Sequence, residues 1–353
     1  MSQDDAEDGA GTDVPSLDGM AVDEAVDAVV AAEENSGPEA ARRALSHVSE
    51  DGVVTESAVD DSLGHLSKVV ATPETRVELV GIELEEAHED AQPVADIDLV
   101  AARFDEYETE LGQLEERLES VQASLRDAVD RAEETDSLYE VGRACSSVTA
   151  EANRLQADAD DLKLELEHDF QRWLADAGYR AERLAEDVDS VAGMLDELSG
   201  VAEALDDAGE DETPTLPGGE EIADPAVAWF DASLRVRVAT LLLADLRAER
   251  ADLLTWLERE TENGGEGDSA SDDTVDTADA ALDDVAGRLV SLDERASGLE
   301  DWLDALARPA WRDRFGDRVE TFEHAVADRA TPVDWADVQA TLEEHRSAAL
   351  DAQ

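Results

Sequence analysis

Apolar residues return at alternating steps of three and four along most of this chain, the spacing that keeps one face of an α-helix apolar. The longest run is Ile97, Val100, Phe104, Tyr107, Leu111, Leu114, Leu118, Val121, Leu125, Ala128 and Ala132, five heptads with charged residues at nearly every other position. Such persistence predicts a coiled-coil helix in place of an ordinary surface helix. After "EETDS", where Asp136 or Ser137 can cap, the alternation restarts at Leu138 and runs through Val141, Cys145, Val148, Ala152, Leu155, Ala159 and Leu162 to Leu166. A four-residue step then leads to Phe170 and Trp173, a phase shift expected to unwind a supercoil locally. Beyond Gly178 the pattern resumes at Leu184, Val188, Val191, Leu195, Leu198, Ala202 and Leu205. A short polar turn between heptad helices predicts an antiparallel helical hairpin. Its arms would reach about 50 Å at ~1.5 Å per residue.

The flanking regions carry the same period in shorter pieces. Residues 1–18 are acidic and aperiodic, which predicts a disordered tail. From Met20 to about Val70 come three short amphipathic segments, divided at Gly37–Pro38 and at "EDGVVT", with Thr55 placed to cap the third. A further helix is expected between Pro73 and Pro93. Residues 207–224 are a Pro/Gly/acid linker. The segment from Pro225, a good first-turn proline, to about Glu260 is the most apolar of the helices and is expected to lie between others. Residues 262–273 read as a second linker. Strict heptads follow from Val275 to Leu306; Phe315, Val319, Phe322 and Val326 extend them past Pro309, and a last helix follows Pro332. The pattern predicts an all-α fold. A small N-terminal helical unit (19–92) precedes a coiled-coil helical hairpin (93–206), the hydrophobic helix (225–261) and a C-terminal coiled-coil and helical segment (274–353).

Charge changes the expected setting. Asp and Glu number 92 against 27 Lys and Arg, a formal net charge of −65, and the lysines are Lys68 and Lys163 alone. Summed surface charge of one sign opposes compaction in dilute buffer. At 1 M salt the Debye length falls to about 3 Å and that repulsion is screened. Acidic excess with depleted lysine therefore points to a halophile that keeps salt inside its cells. Direct nucleic-acid binding is disfavoured, because phosphate contacts need clustered cations and the densest arginine stretch, Arg308–Arg318, is interrupted by Asp313 and Asp317. No secretory signal precedes residue 19. The most apolar run, Val236–Leu246, is about half a bilayer span, so a cytoplasmic protein without a membrane span is expected.

Candidate chemistry is sparse. The single cysteine, Cys145, lies on the heptad seam, where it acts as a small apolar residue. A loop over residues 47–58 has EF-hand length with Gly52 at the turn, but His47 and Ala58 stand where calcium needs carboxylates. A helix-turn-helix over residues 38–70 would present Glu56, Asp60 and Asp61 to DNA against Lys68 alone. Glu85–His88 and Glu165–His168 have the Glu-x-x-His spacing of di-iron bundles, at a frequency that chance supplies in so acidic a chain. No catalytic, cofactor-binding or metal-binding set is expected. The tryptophans stand out, since Trp concentrates binding energy at interfaces. Trp302, Trp311 and Trp335 are the candidate partner-binding residues, expected to be the more exposed of the six.

The stretches "DGVVTESAVDDSLGHLSKVVATPETRVELVGIELEEA", "PVADIDLVAARFDEYE" and "DDLKLELEHDFQRWLADAGYRAERLAEDVDSV" resemble haloarchaeal proteins of the "halo transducer protein" family, over most of residues 45–205. The resemblance implies a part in signal transduction and carries no functional residue over. The expectation is a non-enzymatic interaction or scaffold protein of a halophilic archaeon, an accessory in signalling, with protein partners or self-association through its heptad helices. The alternative is a chromosome- or division-associated coiled-coil protein acting through protein partners.

Overall fold

The computed structural model describes residues 16–33, 37–134, 137–209, 213–263, 269–327 and 329–350. Residues 1–15 of the expected acidic tail, Asp136 of the expected cap, 210–212 of the first linker and 264–268 of the second lie outside them. The fold is all-α: among the described residues the sole sheet is one two-stranded hairpin. No described helix is long and apolar enough to cross a membrane. The chain forms two compact units, residues 1–90 with 104–171, and residues 91–103 with 172–353.

In the first unit α1 (Val22–Ala32) and α2 (Pro38–Ser46) pack through Ala25, Val26, Val29, Ala41, Ala44 and Leu45. The "EDGVVT" segment, expected as a plain connection, is a β-hairpin. Strands β1 (Ser49–Glu50) and β2 (Val53–Val54) flank Asp51 and Gly52, whose φ angles are 51° and 81°. An Asp-Gly pair supplies the two positive φ angles that a tight hairpin turn requires. Beside β2, the Val54 amide donates to the Met20 carbonyl and Val22 donates to Gly52, which pins the start of α1.

Helix α3 spans Ser57–Ala91, and Thr55 caps it as expected, its hydroxyl oxygen accepting from the Ala58 amide at 3.3 Å. Pro73 does not divide it. Leu66, Val70, Pro73, Val77, Val80, Leu84, Ala87 and Ala91 keep the three-four alternation and all are buried. A proline inside a helix costs ~3 kcal/mol through its lost N–H and ring clash; burial of an unbroken apolar face outweighs that here. Helices α4 (Asp98–Glu134) and α5 (Leu138–Leu164) complete the unit. Arg76 and Lys163 join α3 to α5 through Asp160 (3.2 Å) and Glu83 (3.8 Å), while Arg117 reaches Asp158 from α4 at 2.6 Å. Helix α2 crosses α5 at Gly142, where a Cβ would lie 2.9 Å from the Ala44 carbonyl carbon and closer still to its oxygen.

After α5 the helix widens into a π-helical stretch, Glu165–Phe170, and continues as α6 (Gln171–Ala175). This is the site of the four-residue step between Leu166 and Phe170. A π turn takes up one residue more than an α turn. The extra residue is therefore absorbed within the helix, and Leu166 and Phe170 both reach the core, where Phe170 meets Phe104 edge-on at 5.2 Å.

The second unit is built on α7 (Ala177–Asp207), α8 (Pro225–Asn263) and α9 (Ser269–Leu306), which pack on one another, with α10 (Pro309–Ala327) against α8 and α11 (Trp335–Leu350) against α10. Helix α8 thus packs against α7, α9 and α10, between other helices as expected. Asp224 caps it, Oδ1 accepting from Ala226 (3.0 Å) and Val227 (3.2 Å) while Oδ2 pairs with Arg314 at 2.9 Å. The two buried arginines, Arg180 and Arg237, are matched by acceptors. Arg180 donates to the Trp173 and Leu174 carbonyls at the end of α6 and to Glu260 at 2.6 Å, its guanidinium 4.0 Å above the Trp256 ring. Arg237 donates to the Ser233 carbonyl and to Glu323, with Glu300 at 3.2 Å.

Candidate functional site

The heptad face of α4 is not buried evenly. Tyr107, Leu114, Val121 and Ala128 are buried, whereas Leu111, Leu118 and Leu125, at intervening seam positions, remain half-buried. The last three repeat every seven residues and so form one stripe along the helix. Opposite the first two lies α3, where Gly81 carries no side chain and a Cβ would meet only the Leu111 Cδ2 at 3.8 Å. The helices leave between them an open trough of about 650 Å³ floored by Val77, Gly81, Leu84, Leu111 and Leu118. Ile82, 47% exposed, stands at its edge.

The trough has acidic walls. Glu74, Glu78 and Glu85 line it from α3, and Glu108 and Glu115 from α4. His88 closes one end, its ring stacked on Phe104 at 3.8 Å and its Nε2 3.8 Å from Glu108. The seven-residue spacings 78–85 and 108–115 place these carboxylates beside the seam, where side chains choose a helix's partner. Arg76 and Arg117, the arginines of the flanking turns, are engaged by Asp160 and Asp158 of α5. Of these glutamates the sequence marks Glu85 alone, through its spacing to His88. The signal available was a pair of heptad faces flanked by Glu at seven-residue spacing.

The expected tryptophan surface is only partly exposed. Trp311 is buried: α10 turns back at Pro309 and sets its ring 6.3 Å from that of Trp229 on α8, with the Arg308 guanidinium 4.9 Å away. Trp335 is half-buried, its indole N–H donating to Asp245 at 2.8 Å. Trp302 is half-buried on α9. The other three, Trp173, Trp229 and Trp256, are core residues.

Titratable groups gather in two further places. Glu249 on α8 is pushed up to about 7 by burial and by Asp187, Asp245 and Asp252, against the partial relief of Arg103. In the first unit His47 lies near His65, and burial followed by that neighbour lowers its pKa. Burial raises the Cys145 thiol, which sits in the core. Neither Glu-x-x-His pair assembles a cluster: Glu165 accepts from the Tyr107 hydroxyl at 3.1 Å and His88 faces Glu108. Among the described residues no group of three or more His, Cys, Asp or Glu could hold a metal ion. Set against protein-family models, curated proteins and solved structures, the chain matches none of them.

Proposed function

We propose that this chain is a non-enzymatic interaction protein of a halophilic archaeal cytoplasm, a scaffold of coiled-coil helices with an accessory role in signal transduction. The observation that carries the reading is the trough between α3 and α4, a solvent-accessible apolar seam flanked by acidic side chains. Seams of this kind recognise helices. The coiled-coil hairpin is part of the proposal: Tyr107 meets Glu165 and Arg117 meets Asp158, partners that run in opposite senses along α4 and α5 and so favour an antiparallel pairing. The signalling role takes its support from the resemblance to halo transducer proteins, and the saline setting from a charge of −65.

Affinity capture of the tagged chain from a haloarchaeal lysate at molar KCl, followed by mass spectrometry, tests the reading. Sensory or chemotaxis proteins are expected in the eluate. An eluate indistinguishable from the tag alone, from a chain that is monomeric in the ultracentrifuge, refutes it; chromosome or division proteins transfer the scaffold to a different machinery. Unfolding followed across decreasing KCl checks the saline setting, with a steady loss of Tm expected.

A further inference from the structure

We propose that the α3–α4 trough receives one cationic amphipathic helix of a partner protein, with an apolar residue every three to four positions and arginine or lysine on both flanks. The inference rests on the interaction reading and gives it a site and a partner chemistry. Three observations carry it. The floor has the form of an incomplete helical seam: Leu111 and Leu118 on α4 remain partly exposed, and Gly81 on α3 leaves the width that a side chain would have closed. The trough runs from Glu74 to His88, fourteen residues of α3, which at ~1.5 Å per residue is about 21 Å, or four turns of a docked helix.

The walls decide which helix. On the α5 side of both helices, cations meet carboxylates: Arg76 with Asp160, Lys163 with Glu83, and Arg117 with Asp158. On the trough side five glutamates face the seam, and the one basic ring present, His88, is stacked on Phe104 beside Glu108. A helix with acidic or neutral flanks would leave those walls as they are or add like charge to them, which opposes association. Cationic flanks would pair with them at contact distance, within the ~3 Å Debye length of molar salt, so the preference persists where longer-range attraction is screened. The same reasoning disfavours a second copy of this chain as occupant, since the chain carries 92 acidic residues against 27 basic ones.

The test uses the full-length chain in 1 M and 3 M KCl and three labelled helical peptides of about four turns. They share one Leu/Ile seam and carry Arg, Gln or Glu on both flanks. Fluorescence anisotropy is expected to rank them Arg, Gln, Glu, with at least a tenfold difference in Kd between the first and last. Gly81→Met, which puts a side chain into the trough where a Cβ meets only Leu111, is expected to weaken the Arg peptide at least tenfold. The triple variant Glu78→Arg/Glu85→Arg/Glu115→Arg is expected to reverse the order, and circular dichroism reports whether each variant keeps its helices. Equal binding of the three peptides, or a preference that neither variant moves, overturns the proposal; so does self-association of the chain that Gly81→Met abolishes, which makes a second copy the occupant. Capture of lysate partners by a chain that does not discriminate the peptides defeats this inference alone. Discrimination of the peptides with no captured partner defeats the scaffold reading instead.

Discussion

Replacing Gly142 by alanine has a predicted sign opposite to that of an ordinary helix substitution. Glycine in a helix interior is about 1 kcal/mol less favourable than alanine, so a Gly→Ala change at an open helical position stabilises. Gly142 lies inside α5, but its missing side chain is the point at which α2 comes down. A Cβ there would overlap the Ala44 carbonyl oxygen, stand 2.9 Å from the carbonyl carbon and 3.3 Å from the Val48 Cγ2. The obstacle is backbone, which cannot rotate aside as a side-chain tip can. Relief requires α2 to move outward by roughly 1 Å, opening the packing of Ala41, Ala44, Leu45 and Val48, all fully or almost fully buried. Overpacking of a close-packed core costs about 1–3 kcal/mol, and more where backbone must shift. Setting ~3 kcal/mol against the ~1 kcal/mol gained in propensity leaves a net loss of about 2 kcal/mol. For a unit of this size that is a fall in Tm of roughly 4–8 °C. Gly112→Ala on α4, with nothing within 4 Å of its added Cβ, is the matched control and is expected to rise by a few degrees. Thermal unfolding of both variants by circular dichroism in molar KCl decides the matter. A Gly142→Ala chain as stable as the parent would mean that α2 does not cross α5 at this residue.

The remaining predictions concern the second unit and α3. Glu249 has a folded pKa of about 7 against an ordinary 4.5. Its charge therefore costs nothing below pH ~4.5, and the cost grows as pH rises to 7 and is complete above it. At 1.36 kcal/mol per unit the ceiling is ~3 kcal/mol. With the side chain's residual solvent contact, Glu249→Gln is expected to gain ~1–2 kcal/mol at pH 8 and nothing at pH 4.5; an equal effect at both pH values in denaturant titrations refutes the assignment. Asp224→Ala removes the cap of α8 and the Arg314 pair and should lose ~1–2 kcal/mol, whereas Asp224→Asn should keep most of the cap, as read by urea midpoints. Pro73→Ala restores a backbone donor inside α3 and is expected to stabilise by ~1–2 kcal/mol despite the smaller buried surface; a lower Tm would show that the ring's packing dominates.

What the sequence discloses and what it hides divide along a physical line. Periodicity reports which face of a helix is apolar, so the helices themselves, the capping of α3 by Thr55, the start of α8 at Pro225 and the phase shift after Leu166 were all legible. It does not report which neighbour covers that face. Leu111 and Leu114 belong to the same heptad run, yet one is half-buried and the other buried, because Leu111 faces the open trough beside Gly81. The trough was invisible for that reason. Trp311 is a second case: it was expected among the more exposed tryptophans, but the turn of α10 brings it onto Trp229, a long-range contact that no local pattern encodes. Two further features are encoded locally. The Asp51–Gly52 pair marks a hairpin, although strands of two residues are too short to show alternation. Pro73 looks like a stop until its own place in the seam, three residues after Val70 and four before Val77, is counted.

The π-helical stretch at Glu165–Phe170 bears on how this chain's length can change. A regular helix that gains a residue swings everything beyond it by about 100°, turning a buried face outward. Here the surplus residue is held in one wide turn, and Leu166 and Phe170 within it both reach the core. The wide turn therefore marks where the heptad phase of α5 is reset without an interruption of the helix, so the surplus residue costs the first unit none of its buried face.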